Sequence, residues 1–222
     1  MKLYSYFRSS AAFRVRIALA LKGLPYDYAA VHLVRGEQLQ PDYRTLNPDG
    51  LVPASEDAGE VLTQSMAIME YLDETHRQAP LLPGDALARA KVRALAQSIA
   101  CEIHPLNNLR VLRYLVGPLG VDEAAKNGWY HHWTRSGLES FEHQLLALDA
   151  WHRQRGGDAP QTFCFGAAPT LADCCLVPLI FNAQRFAVPL DGLPRTMSAF
   201  DACMALPAFQ AARPEACPDA QA

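Results

Sequence analysis

The chain has 222 residues, half of them hydrophobic, with 20 basic against 23 acidic side chains and a net charge of −3. That is enough apolar material for one large domain or two small ones, and the lack of a basic excess speaks against a general nucleic-acid binder. No apolar run approaches the roughly 18 to 20 residues of a membrane span, and "MKLYSYFRSS" has no signal-peptide core, so a cytoplasmic protein is expected.

"KLYSY" is short and rich in β formers, and predicts a strand. Residues 10–22 carry Phe13, Ile17 and Leu21 at a spacing of four and predict a helix, stopped by Gly23 with Pro25 beyond. "YDYAAVHL" (26–33) predicts a second strand, and the polar stretch after it has weak helical character. "LVPAS" and "EVLTQ" predict a hairpin around "EDAG". "SMAIMEYLDETH" predicts a helix capped by Ser65. The order is β-α-β-α-β-β-α.

"RQAPLLPGDALAR" (77–89), with two prolines and a glycine, marks the boundary between an α/β domain over 1–82 and an all-helical domain over 88–215. Residues 86–116 keep a helical apolar spacing, and Pro105 should kink that helix because it has no N–H for the ladder. Further helices are expected near 122–150, 170–186, 194–203 and 207–212, with "QRGGDAPQT" as a loop and a poorly ordered tail after Arg213. Thr170 and Asp173 have capping-box spacing and read as structural. The six cysteines show neither CxxC nor zinc spacing, and read as buried reduced thiols.

Several features could carry chemistry. Ser9 and Ser10 stand at a helix start with Arg8, Arg14 and Arg16 around them. Unpaired N–H groups and a partial positive charge there favour an anion, although two serines also serve as caps alone. Pro53 after Val52 is a plausible cis site, which would leave the Val52 backbone able to pair with an extended peptide; the alternative is an ordinary edge proline. Gln64 and Ser65 open another helix where a carboxylate could dock. His104 and Asn108, four apart, should share one helix face, with Arg110 flanking it.

Together, "YFRSSAAFRVRIALALKG", "LNPDGLVPA", "TQSMAIMEYLDE", "PTLADCCLVP" and "NAQRF" resemble the zeta class of glutathione transferases, the family of maleylacetoacetate and maleylpyruvate isomerases, over roughly residues 2–215. The resemblance implies a thioredoxin-like N-terminal domain, an all-α C-terminal domain, a homodimer and glutathione as cofactor. It places Ser9 and Ser10 at the catalytic helix start. Val52 and Pro53 match the pair that holds the cysteinyl part of glutathione, Gln64 and Ser65 the γ-glutamyl carboxylate site, and Gln38 the glycyl end. His104 and Asn108 fall where members contact the bound ligand. Arg8, Arg110 and Arg185 fall where the maleylpyruvate branch gathers arginines around a dicarboxylate substrate. The implied reaction is thiolate addition to a maleyl double bond, rotation, and elimination of the fumaryl isomer, within aromatic catabolism.

The family usually follows its serine pair with Cys-Ser or uses a Gly-Thr-Ser variant, whereas Ala11 and Ala12 stand here. A thiol with a pKa near 8.5 needs about 2.7 kcal/mol to fall by two units. A hydrogen bond to the anion contributes about 1.5–3 kcal/mol and a helix start about 0.3–1 kcal/mol, so Ser9 carries the larger share. A general transferase acting on small electrophiles or halogenated acids, and a non-catalytic glutathione-binding module, are the competing readings.

Overall fold

The computed structural model describes residues 1–221 in two compact units: one combines Met1–Leu81 with the chain from Met204 onward, the other is Leu82–Cys203. The helical region anticipated over 88–215 is therefore divided, its last part grouping with the N-terminal unit.

The first unit runs β1 (Lys2–Ser5), α1 (Ser10–Leu21), β2 (Asp27–Ala30), a 3₁₀ turn (Glu37–Leu39), α2 (Pro41–Leu46), β3 (Ala54–Asp57), β4 (Glu60–Thr63) and α3 (Ser65–Thr75). The sheet order is β2-β1-β3-β4, with β2 parallel to β1 and the other pairs antiparallel. The element order is the β-α-β-α-β-β-α read from the sequence, and the sheet is thioredoxin-like, as the family resemblance implied. β2 is shorter than the anticipated 26–33 because β1 offers it only four partners, Lys2 to Ser5. The β3–β4 turn is made by Ala58 and Gly59, both at positive φ, the geometry of a tight hairpin turn. Pairing takes in Glu56 and Asp57 and stops short of Leu51–Pro53, and the Val52–Pro53 peptide is cis.

α1 is buried on nearly every side, with Phe13, Val15, Ile17 and Leu19 all enclosed. Such a helix needs cover all round: α3 supplies one part, and α9 (Pro207–Ala211) supplies another. The anticipated loose tail is consequently ordered. It forms 3₁₀ turns at Pro214–Ala216 and Pro218–Gln221, with Pro214, Cys217 and Asp219 buried.

The second unit contains α4 (Ala86–Gln97), α5 (Leu109–Val116), α6 (Glu123–Gln154), α7 (Leu171–Arg185) and α8 (Pro194–Met204), the last through Cys203. The single kinked helix expected over 86–116 is instead broken. After α4 the chain widens into a π turn, Ser98–Ile103, in which His104 N–H donates to Ile99 O at 2.9 Å. Pro105 then opens a 3₁₀ turn, and α5 restarts from Asn108. Proline lacks the donor and clashes with the preceding turn, and here a change of helix type absorbs both defects. Gly137 on α6 meets this segment closely: a β-carbon there would lie 2.4 Å from Ile103 Cγ1.

The Thr170–Asp173 capping box is present. Asp173 Oδ2 accepts from Thr170 N–H and from its hydroxyl, both at 2.8 Å, and Oδ1 accepts from Cys164 N–H at 2.9 Å. None of the six cysteines forms a disulfide among the described residues, and five are buried; Cys101, on the π turn, is exposed, contrary to expectation.

Candidate active site

β1 ends at Ser5, and a short turn carries the chain into α1. In that turn Ser9 N–H donates to Tyr6 O at 2.9 Å. Ser9 has extended backbone and is the N-cap: its Oγ accepts from Ala12 N–H at 3.2 Å. A hydroxyl accepts through its lone pairs and donates through its proton, so capping leaves the Ser9 proton able to donate to an anion at the helix start. The two readings open at sequence level, cap and anion site, are compatible in one oxygen. Ser10 is the buried first residue of the helix. The first turn of α1 carries no acid that would repel an anion.

A second helix start, that of α3, differs from the expected arrangement. Ser65 is the first helical residue, and Gln64, exposed and at φ +68, is the N-cap without a side-chain capping bond. A non-glycine residue in such a backbone costs about 1–3 kcal/mol and clusters at functional sites. Ser65 Oγ accepts instead from Arg14 Nη1 at 3.2 Å. Arg14 is only 3 % exposed, and its Nε has no hydrogen-bond partner among the described residues. Sequence reasoning noticed Arg14 as local charge but gave it no role. The usable signal was a pair of arginines, Arg14 and Arg16, inside a helix whose other residues past Ser10 are all apolar.

Val52 and Pro53 are buried before β3. The carbonyl just ahead of them, Leu51 O, accepts from Tyr43 Oη at 2.6 Å and Asn47 Nδ2 at 2.8 Å, so α2 and its C-cap hold this loop. Burial pushes the Tyr43 phenol up to about 12, which keeps it a donor. Gln38 is buried in its 3₁₀ turn, and its Oε1 also lacks a partner among the described residues. Arg8 is exposed, with its guanidinium 4.9 Å from the Phe7 ring centre.

In the second unit, His104 and Asn108 do not share a helix face. The break at Pro105 separates them, and Asn108 has extended backbone and caps α5, its Oδ1 accepting from Arg110 N–H at 3.1 Å. Asn107, one residue before, donates to Thr134 Oγ1 at 2.9 Å and pins the break to α6. Arg110 is exposed on α5. Arg185, exposed at the end of α7, lies 5.0 Å from the Phe186 ring centre, which packs on Tyr130 at 4.1 Å. Burial pushes the Tyr130 phenol up to about 12, partly opposed by the Arg185 charge.

Residues 1–74 match the model of the glutathione S-transferase N-terminal domain. The chain is 47 % identical to a maleylpyruvate isomerase of a Ralstonia species over 219 residues, covering 99 % of each chain. It therefore belongs to the zeta class of glutathione transferases. Its structure matches the holo form of a bacterial zeta-class maleylpyruvate isomerase with a TM-score of 0.92, 46 % identity and 99 % of each chain covered. It also matches a maleylacetoacetate isomerase from Methylobacterium extorquens with bound malonate and glutathione, at a TM-score of 0.89 and 37 % identity over 98 % of each chain. As a zeta-class chain it departs from the expected motif at Ala11 and Ala12, and the structure separates the two positions. Ala12 is wholly buried and takes part through its backbone N–H, whereas Ala11 is partly exposed beside the serine pair. Of these two alanines, only Ala11 is partly exposed.

Proposed function

We propose that this chain is a glutathione-dependent isomerase that converts a maleyl dicarboxylate, maleylacetoacetate or maleylpyruvate, into its fumaryl isomer. The observation that carries the reading is the Ser9 hydroxyl, held as the N-cap of α1 by Ala12 N–H with its own proton left to donate.

The residues present suit a tripeptide with two carboxylates. Arg14 Nε and Gln38 Oε1 are buried polar atoms without partners among the described residues, and such atoms are costly unless something satisfies them. The starts of α1 and α3 carry no acid in their first turns. In this reading Gln64 and Ser65, backed by Arg14, take the γ-glutamyl carboxylate, the Val52–Pro53 backbone takes the cysteinyl part, and Gln38 takes the glycyl end.

Glutathione, when bound, supplies a thiolate that adds to the maleyl double bond, lets it rotate as a single bond and leaves again. Ser9 stabilises the sulfur anion by a charge-assisted hydrogen bond, Ser10 stands second to it, and the α1 start adds its partial charge. Arg8, Arg110 and Arg185 are assigned to the substrate's carboxylates, since guanidinium forks suit them, with His104 and Asn108 assigned to the bound ligand. The bound malonate and glutathione of the Methylobacterium relative support a dicarboxylate substrate class. The reading extends to a homodimer in the cytoplasm; no helix among the described residues is long and apolar enough to cross a membrane.

The test is purified protein with glutathione and each maleyl substrate, followed spectrophotometrically. Glutathione-dependent conversion of at least one to its fumaryl isomer is expected; conjugation of small electrophiles without isomerisation would overturn the reading in favour of a general transferase.

A further inference from the structure

The turn that carries Ser9 is gripped from behind by the end of the chain. Asp219 is 6 % exposed. Its Oδ2 accepts from Phe7 N–H at 3.1 Å and its Oδ1 from Tyr28 Oη at 2.6 Å. Phe7 lies two residues before Ser9, inside the link between β1 and α1. Burial and the bond to Asp219 push the Tyr28 phenol up, so it remains a donor.

A second tie closes on the same residue. Arg16, only 2 % exposed, donates from Nη2 to Phe7 O at 3.1 Å and from Nη1 to Tyr6 O at 3.4 Å and Ser5 Oγ at 3.1 Å. Its Nε donates to Ala212 O at 3.1 Å. Both polar groups of the Phe7 backbone are thus held, the N–H by a tail carboxylate and the carbonyl by a guanidinium that is itself tied to the tail. Tyr6 O, bonded to Arg16, also accepts from Ser9 N–H, so the restraint reaches the serine through two hydrogen bonds.

We infer that Asp219 is a positioning residue for the reaction: the C-terminal segment clamps the Tyr6–Ser9 turn so that the serine hydroxyl is aimed at the sulfur. This rests on the function proposed above. A group displaced by a fraction of its bond length still caps α1 but no longer meets the thiolate well, so the clamp should govern sulfur ionisation and turnover more than tripeptide affinity.

The experiment uses full-length Asp219→Ala, Asp219→Asn and Tyr28→Phe proteins beside the native chain. Hydrogen exchange of the Phe7–Ser9 amides is measured without glutathione; the ultraviolet thiolate signal of bound glutathione is then titrated against pH, and kcat, KM and glutathione affinity are compared. Exchange in the turn should quicken about tenfold or more in Asp219→Ala, as expected for a locally loosened segment, and by less in Asp219→Asn, whose amide oxygen still accepts from Phe7 N–H but without the charge. The thiolate should titrate at higher pH, and kcat should fall roughly ten- to hundredfold, the cost of a small misplacement, while glutathione affinity holds within about threefold. Tyr28→Phe, which keeps the Phe7 bond, should give a smaller loss in the same direction. Unchanged exchange overturns the inference, and so does faster exchange with native thiolate titration and native kcat, which would make the tail a fold element alone. Should Asp219→Ala fail to fold, Asp219→Asn decides. If the native chain binds glutathione without a thiolate signal, the proposed function fails, while the exchange comparison still judges the clamp.

Discussion

Arg14 on α1 donates a hydrogen bond to Ser65 on α3 at 3.2 Å, and both residues are buried. The structure gives this guanidinium no carboxylate partner among the described residues. A buried cation without a counter-charge is expensive, and a ligand carboxylate at the start of α3 would supply one. Arg14→Met keeps the length and removes the charge. Glutathione should then bind about 10- to 150-fold more weakly, matching a charged hydrogen bond of about 1.5–3 kcal/mol. The ligand-free protein should melt no lower than the native one. Calorimetric titration and a thermal melt check both; native affinity together with a lowered melting temperature would make Arg14 a structural residue.

Ser9 is both cap and proposed anion donor, and the two roles separate by measurement. Ser9→Ala should lower kcat by about 10- to 150-fold, from the same range of charged hydrogen-bond energies. It should also cost about 0.5–2 kcal/mol of stability through the lost cap. Ala11→Ser, at the partly exposed position beside it, should move the thiolate titration of bound glutathione to lower pH. Steady-state kinetics, melts and ultraviolet titration decide; a Ser9→Ala protein that turns over at the native rate excludes this serine as the activating group.

Asp173 joins four groups in the second unit: Thr170 N–H and hydroxyl, Cys164 N–H, and the Cys203 thiol at 3.5 Å. Burial, reinforced by Asp173, pushes the Cys164 and Cys203 thiols up, so they act as neutral donors and not as nucleophiles. Asp173→Ala loses a cap, about 0.5–2 kcal/mol, and orphans a buried N–H, about 1–3 kcal/mol. A fall in melting temperature of about 3–20 °C is expected at roughly 2–4 °C per kcal/mol for a chain of this size. A fall under about 2 °C on that scale would show that water or a rearranged loop replaces the carboxylate.

His152, near the end of α6, packs its ring 4.9 Å from those of Trp151 and Phe165. Burial lowers its pKa from 6.5, with Lys91 and Arg155 adding to the effect and Asp149 opposing it. The folded state therefore prefers the neutral ring, while the unfolded chain takes up a proton first as pH falls. The stabilisation is complete above about 6.5 and is lost as pH drops below it. Melts of the native protein and His152→Gln across this range should show the native chain losing stability more steeply on the acid side. Parallel profiles would mean that the ring titrates alike in both states.

Much of the fold could be read in the sequence because local chemistry and global arrangement agree. The β-α-β-α-β-β-α order follows from short β-rich runs, a period-four helix and turn residues. The capping box at Thr170 and Asp173 appears as spaced, since its partners are three residues apart. Ser9 was legible as a helix start for the same reason. Legibility fails where a distant segment decides the outcome. Ser65 reads as a cap by residue type, yet Gln64 at positive φ takes that place and Arg14, 51 residues away, binds the serine hydroxyl. His104 and Asn108 read as one helix face, yet Pro105 forces a change of helix type between them. The tail reads as loose by composition because its stabilising partners, Phe7, Arg16 and Tyr28, lie near the other end of the chain.

Short-range patterning alone settled the two-part α/β-then-helical character, the serine pair opening the first helix and the likeness to the zeta class, because caps, turns and apolar periods act over a few residues. Only tertiary structure decided that Arg14 stands behind Ser65, that the last residues return to the first unit, and that Asp219 grips the turn leading to Ser9. Those are contacts between groups far apart in sequence, created when a helix buried nearly all round, with Arg14 and Arg16 inside it, demands cover and polar partners, and no local pattern encodes which distant segment will provide them.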